Sequence, residues 1–140
     1  MFPRPKIRLT VLICANIAIP LIIGATIYIL SNDSTLISHW VRLVCPVQIP
    51  AVHPFPFIRN WGCDFLWAYS LAFSLFLFWP QSPQPRCAPV YTAIILGVVM
   101  EMLQLAVPTW CTFDWGDIVA QTVGSIVAAF VWRSVHNFRR

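Results

Sequence analysis

Four long apolar runs, separated by short polar or proline-rich breaks, set the organisation of this chain. They cover about residues 9–30, 57–79, 89–107 and 115–132, each close to the ~20 residues a helix needs to cross a hydrocarbon core. The breaks are chemically sharp. Pro80 and the QSPQP segment end the second run, Pro108 ends the third, and Arg133, His136, Arg139 and Arg140 follow the fourth. The first run is too long for the apolar stretch of a signal peptide and no A-x-A site follows it, so it reads as a span.

Between the first two runs the pattern changes. Leu36, Ile37, Trp40, Val41 and Val44 are spaced as one helical face, with Ser38, His39 and Arg42 opposite. Asn32, Asp33 and Ser34 offer N-caps and Pro46 stops the pattern. A short amphipathic helix over about 34–45 is expected, lying in the outer headgroup layer or as a lid on the bundle. Pro46, Pro50, Pro54 and Pro56 then predict an extended connection into the second run. The fold class expected is an all-α integral membrane protein: four transmembrane helices in an antiparallel bundle plus this interfacial helix, as one domain over residues 1–140.

Composition supports that reading. Charged residues make up 10% of the chain and apolar ones 59%, whereas a soluble domain is about 25% charged. The net charge of +4 sits mainly at the two ends, with no basic stripe interleaved with aromatics, so it carries topology and not nucleic-acid binding. The positive-inside rule puts Arg4, Lys6, Arg8, Arg86 and the basic C-terminal end in the cytoplasm, and with them both termini. The location expected is the cytoplasmic membrane of a bacterium, with the bilayer as first partner.

All five acids, Asp33, Asp64, Glu101, Asp114 and Asp117, then fall on or just inside the outer side. Asp64 lies about two turns inside the second span, Glu101 two turns before the end of the third, and Asp117 in the first turn of the fourth. An intramembrane carboxylate is costly unless it faces the bundle interior or water. Helical spacing gives each a stripe: Gly97, Glu101 and Gln104; Asp117, Gln121, Gly124 and Ala128; Asp64, Ala68, Leu71 and Ala72. Polar residues running into small ones let transmembrane helices approach and hydrogen-bond. An outward-facing pocket formed by Asp64, Glu101, Gln104, Asp114, Asp117 and Gln121 is expected. The alternative is that these groups only hold the helices together. Acids this close repel, so they need a proton, an arginine or a cation. No cofactor is required, but Asp64, Glu101 and Asp117 together are a candidate oxygen site for Mg²⁺, Ca²⁺ or Mn²⁺.

At "EMLQLAVPTWCTFDWGDIVAQTVGSIV" the chain resembles the VanZ-like family of small bacterial membrane proteins. Glu101 and Gln104 match that family's E-x-x-Q element, and Asp114, Asp117, Ile118 and Gly124 match the start of the next span, with Gln121 where asparagine is common. Upstream, "NWGCDFLWAYS" aligns Asp64 with the family's D-K-x-x-H-x-x-x-Y element, but Phe65 stands in place of the lysine and Ala68 in place of a polar residue. The match is closer to a D-x-L-W-x-Y branch and spans about Trp61 to Ala128. The family is named for a protein associated with low-level resistance to the glycopeptide teicoplanin, and no reaction is established for it. The resemblance therefore implies a cell-envelope role linked to glycopeptide tolerance and no defined chemistry.

Other chemistry is sparse. No G-x-S-x-G, H-E-x-x-H, P-loop or C-x-x-C motif is present. His39 and His53 have no metal-ligand spacing, and among the cysteines Cys45, Cys63 and Cys111 share the outer side, where two could pair. The function expected is binding or accessory, toward an envelope component such as a lipid-linked cell-wall precursor. The alternatives are a partner subunit for another membrane protein, or a small enzyme acting on a lipid head group with Glu101 or Asp64 as general base.

Overall fold

The computed structural model describes residues 5–30, 43–44, 55, 57–79, 87–106 and 113–137. Every regular element among them is helical: α1 is Pro5–Leu30, α2 is Cys63–Phe78, α3 is Ala88–Ala106 and α4 is Trp115–Asn137. A π turn over Ile58–Gly62 leads directly into α2. The four helices, α2 taken with its π turn, are long and apolar enough to cross a membrane. They follow the four apolar runs, except that α1 starts earlier, at Pro5, and α4 continues to Asn137. The interfacial helix expected over 34–45 and the proline-rich connection after it lie outside the described residues, apart from Leu43 and Val44, which are helical, and Phe55.

The centre of the bundle is the α2–α4 pair. Asp64 meets Gln121, Phe65 meets Gly124, and Phe73 and Phe76 meet Trp132. Residue numbers rise together along both helices, so α2 and α4 run parallel. Chain neighbours are antiparallel, as expected: α1 packs on the flank of α2, while α3 packs on both α2 and α4. Gly124 makes the central contact close. A Cβ added there would overlap the Phe65 carbonyl oxygen and come within 3.2 Å of its carbon. Small residues at such a crossing bring two backbones together, which is where helix association in a bilayer gains its packing energy.

Away from the acids the core is aromatic. Phe73 and Ala72 are fully buried on α2, beside Ala93 of α3 and Ala128 of α4. Trp132 meets Phe73 edge-on at 5.3 Å and stacks on Phe76 at 5.4 Å. Outward-facing residues are equally apolar: Val11, Ile19 and Ile22 on α1, and Tyr91, Ile95 and Leu103 on α3, are all exposed. A helix whose outer face is as greasy as its inner one suits lipid as its solvent.

Two polar contacts hold α1 in register. Tyr69 Oη donates to Asn16 Oδ1 at 2.6 Å, and Cys63 Sγ donates to the Gly24 carbonyl at 3.7 Å. Asn16 also donates to the Leu12 carbonyl at 2.8 Å, so both ends of its amide are engaged. Cys63 is a free, buried thiol among the described residues. Cys45 and Cys111 lie outside the described residues.

Gly124→Ala should lower stability in detergent by about 1–3 kcal/mol, since the obstacle is backbone and cannot rotate away. Gly24→Ala is the matched control: its Cβ would sit 3.9 Å from Leu66 Cβ, an ordinary contact, and its melting temperature should stay near wild type. Tyr69→Phe loses one interhelical hydrogen bond, about 0.6 kcal/mol on average, and should melt between the two.

Candidate functional site

The polar centre is assembled by Gln121. Its side-chain nitrogen carries two hydrogens, and it lies 3.2 Å from Asp64 Oδ1 and 3.3 Å from Glu101 Oε1. One amide of α4 therefore bridges a carboxyl of α2 and a carboxyl of α3. Gln104, one turn beyond Glu101 on α3, donates to the same Glu101 oxygen at 3.1 Å. Three helices meet at four side chains. The stripes read from the sequence are the faces that pack: Gly97, Ala68, Ala72, Gly124 and Ala128 are all buried.

Gly97 explains why the bridge fits. A Cβ at that position would overlap Gln121 Oε1, so the glycine on α3 makes room for the amide of α4. Ser125 adds a quieter contact, donating to the Gln121 carbonyl at 2.9 Å.

The bridge leaves two acceptors over. Glu101 is 1% exposed and Gln121 4%, yet Glu101 Oε2 and Gln121 Oε1 have no hydrogen-bond partner among the described residues. The backbone of Asp114 approaches the Glu101 carboxyl without closing a hydrogen bond of good geometry. Asp64 and Asp117 are half-buried, at the rim. Asp117 meets the other acids through charge, with no side-chain hydrogen bond among the described residues. Among the described residues the charged groups acting on Asp64, Glu101 and Asp117 are other acids. The centre is rich in acceptors, and glutamines supply its donors.

Asp114 acts on the other three acids through charge and also has a structural task. One of its oxygens accepts from the Gly116 backbone N–H at 2.8 Å, capping α4, and the other accepts from Trp61 Nε1 at 3.3 Å. Its carboxylate therefore fixes where α4 begins and ties it to the π turn ahead of α2. Trp61 lies over Gly116, where an added Cβ would collide with the indole, and meets Phe57 edge-on at 5.1 Å. An aspartate just before a helix is a capping signal in any sequence; its tryptophan partner is not legible from spacing.

The three acids named for a divalent cation are neighbours. Among the described residues no three Asp, Glu, His or Cys side chains gather as a metal ligand set. A group approaching from the rim would meet Asp64 and Asp117 first, with Glu101 behind them. Two cavities lie elsewhere. A groove of about 610 Å³ runs between the π turn with the start of α2 and the start of α4, and a smaller one of about 250 Å³ lies between α3 and α4 near Cys87 and Arg133.

Gln121→Leu keeps the volume and removes both bridging hydrogens. It should destabilise the protein by about 1–2 kcal/mol, at the upper end of what interhelical hydrogen bonds contribute in bilayers, measured as a fall in melting temperature. Asp117→Asn should melt near wild type, because no side-chain hydrogen bond among the described residues depends on it.

No protein-family model, no curated protein and no solved structure matches this chain, so the case for the site stands on its own residues and distances.

Proposed function

We propose that this chain is a multi-pass, VanZ-like membrane protein of the bacterial cytoplasmic membrane, with both termini in the cytoplasm. Its acids face outward and bind a cationic or donor-bearing group of a cell-envelope component. One observation carries the reading: Glu101 is buried at the meeting point of three helices with one carboxylate oxygen unpartnered among the described residues. Buried polar groups are ordinarily satisfied, and an acceptor left open behind two half-buried aspartates is complementary to a donor entering from the rim.

The motif residues support the same reading. Glu101 and Gln104, which carry much of the VanZ-like resemblance, sit in the bridge, Asp117 sits at its rim, and Asp114 and Gly124 cap and pack the helix that delivers Gln121. A cationic head group suits the acids better than a bare metal ion, because it brings its own hydrogens and does not need three ligands at one point. A lipid-linked wall precursor or a basic segment of another membrane protein would each supply such a group.

A second reading has its own observation. Gln121 already satisfies one oxygen of each acid it bridges, as a purely structural seam would. Melting temperatures of detergent-purified protein separate the two, with ethanolammonium and, in parallel, Mg²⁺, Ca²⁺ or Mn²⁺ as probes. On the binding reading a probe raises the wild-type melting temperature, and the rise is lost in Asp117→Asn although that variant is otherwise stable. Bound ligand stabilises by about 2.7 kcal/mol at a hundredfold excess over Kd, so the shift is measurable. No probe effect, together with a destabilised Glu101→Gln, would leave the seam as structure alone.

A further inference from the structure

The groove between the π turn and α4 has no part in the acid cluster, and its chemistry is the opposite. Phe57, Trp61, Phe65, Val119, Ala120 and Val123 are among its lining residues, together with Gly62 and Gly116. Among the described residues no charged side chain lines it. Its volume of about 610 Å³ falls within the ~300–1,000 Å³ of small-ligand sites. We propose that this groove seats one acyl chain of a phospholipid from the leaflet on the acid side. The inference rests on the membrane-spanning reading above and deepens it.

Level and length argue for that occupant. The lining runs from Phe57 to Phe65 on one side and from Gly116 to Val123 on the other, about 10–12 Å at helical rise. A leaflet of a ~30 Å hydrocarbon core is about 15 Å deep, so the groove covers most of one leaflet and does not reach the other. Its upper end carries the features of an interface: Trp61 and Trp115 lie at this level, and Arg59 and Asn60 are exposed on the same π turn. Tryptophan, with an apolar body and a polar N–H, is enriched at that depth. Here the indole N–H of Trp61 is turned to Asp114 at 3.3 Å while the ring lines the groove.

Continuity completes the case. Val119 is 62% exposed and Val123 46%, so the groove opens along its side onto the apolar outer surface of α4 instead of closing into a cavity. A chain entering from the bilayer crosses no polar barrier. Gly116 lets the Trp61 ring pack directly on α4, since any side chain there would collide with the indole, and Gly62 is the other glycine along the groove. The ammonium or phosphate of such a lipid would then lie at the depth of the rim acids and Arg59.

The test uses the full chain in vesicles of phosphatidylethanolamine and phosphatidylglycerol, doped with a phospholipid bearing a diazirine along one acyl chain. After irradiation, adducts are mapped by mass spectrometry on the groove residues and on the exposed α1 face at Val11, Ile19 and Ile22, which any bulk lipid touches equally. The expected result is severalfold more adduct at Phe65, Val119 and Val123 than on α1. Ala120→Leu, which fills the slot, should abolish that excess without altering the α1 adducts or the melting transition. Val123→Phe gives the same comparison should the leucine prevent folding. Equal labelling of groove and α1 overturns the proposal in favour of ordinary surrounding lipid. A groove less labelled than α1 overturns it in favour of cover by the chain's own segment 31–54. Absence of adducts on α1 as well would instead remove the membrane-spanning reading itself.

Discussion

The side-chain amide of Gln121 is the interaction on which the arrangement depends. An amide nitrogen has two hydrogens, and here each is directed to a carboxyl on a different helix. Every nearby feature serves that geometry. Gly124, one turn further along α4, brings the α4 and α2 backbones close enough for the reach to Asp64. Gly97 clears the volume its oxygen occupies on the α3 side, and Asp114 sets the residue at which α4 starts. Remove the amide and two acids face each other across an apolar bundle, with Gln104 as the donor remaining to one of them. The cost of an unsatisfied polar group in such a place is what fixes the register of α2, α3 and α4 together.

Much of this was legible in the sequence, for a physical reason. Helical periodicity acts on few polar residues here, so each acid stands alone in an apolar run and its face is unambiguous. The stripes through Asp64, Glu101 and Gln121 are the packed faces. Neighbour choice was not legible. Periodicity says which side of a helix is buried but not against what, and the pairing of α2 with α4 as parallel neighbours follows from the close contact at Gly124. The roles of Asn16 and Tyr69 were hidden for the same reason: a single amide in the most apolar run has no pattern around it, and its partner is 53 residues away. Asp114 shows a different limit: its place just before a helix marks it as a capping residue, but the indole N–H that shares its carboxylate lies 53 residues away in sequence.

The bundle also divides by chemistry along its length. At one end the helices are joined by directional bonds among acids and amides; at the other they are joined by the nondirectional packing of Phe73, Phe76 and Trp132. Directional contacts set register and nondirectional ones tolerate small adjustments, so the acid end is the more rigidly specified. The apolar groove lies at that same end, beside Trp61, whose two faces belong to different neighbourhoods: its N–H to the cap of α4 and its ring to the groove.

The separation of Asp64 from its donor has a consequence for how such a chain is made. Helices enter a bilayer in the order of synthesis, and Gln121 follows Asp64 by 57 residues. α1 is apolar over most of its surface and can wait in lipid without penalty. α2 differs: among the described residues the side-chain partner of its carboxyl comes with the last helix. In a bilayer its place near the rim would keep Asp64 within reach of water for that interval. The last helix to emerge thus brings the side-chain donor that Asp64 meets, and a chain cut short before Gln121 would leave that half-buried acid without it.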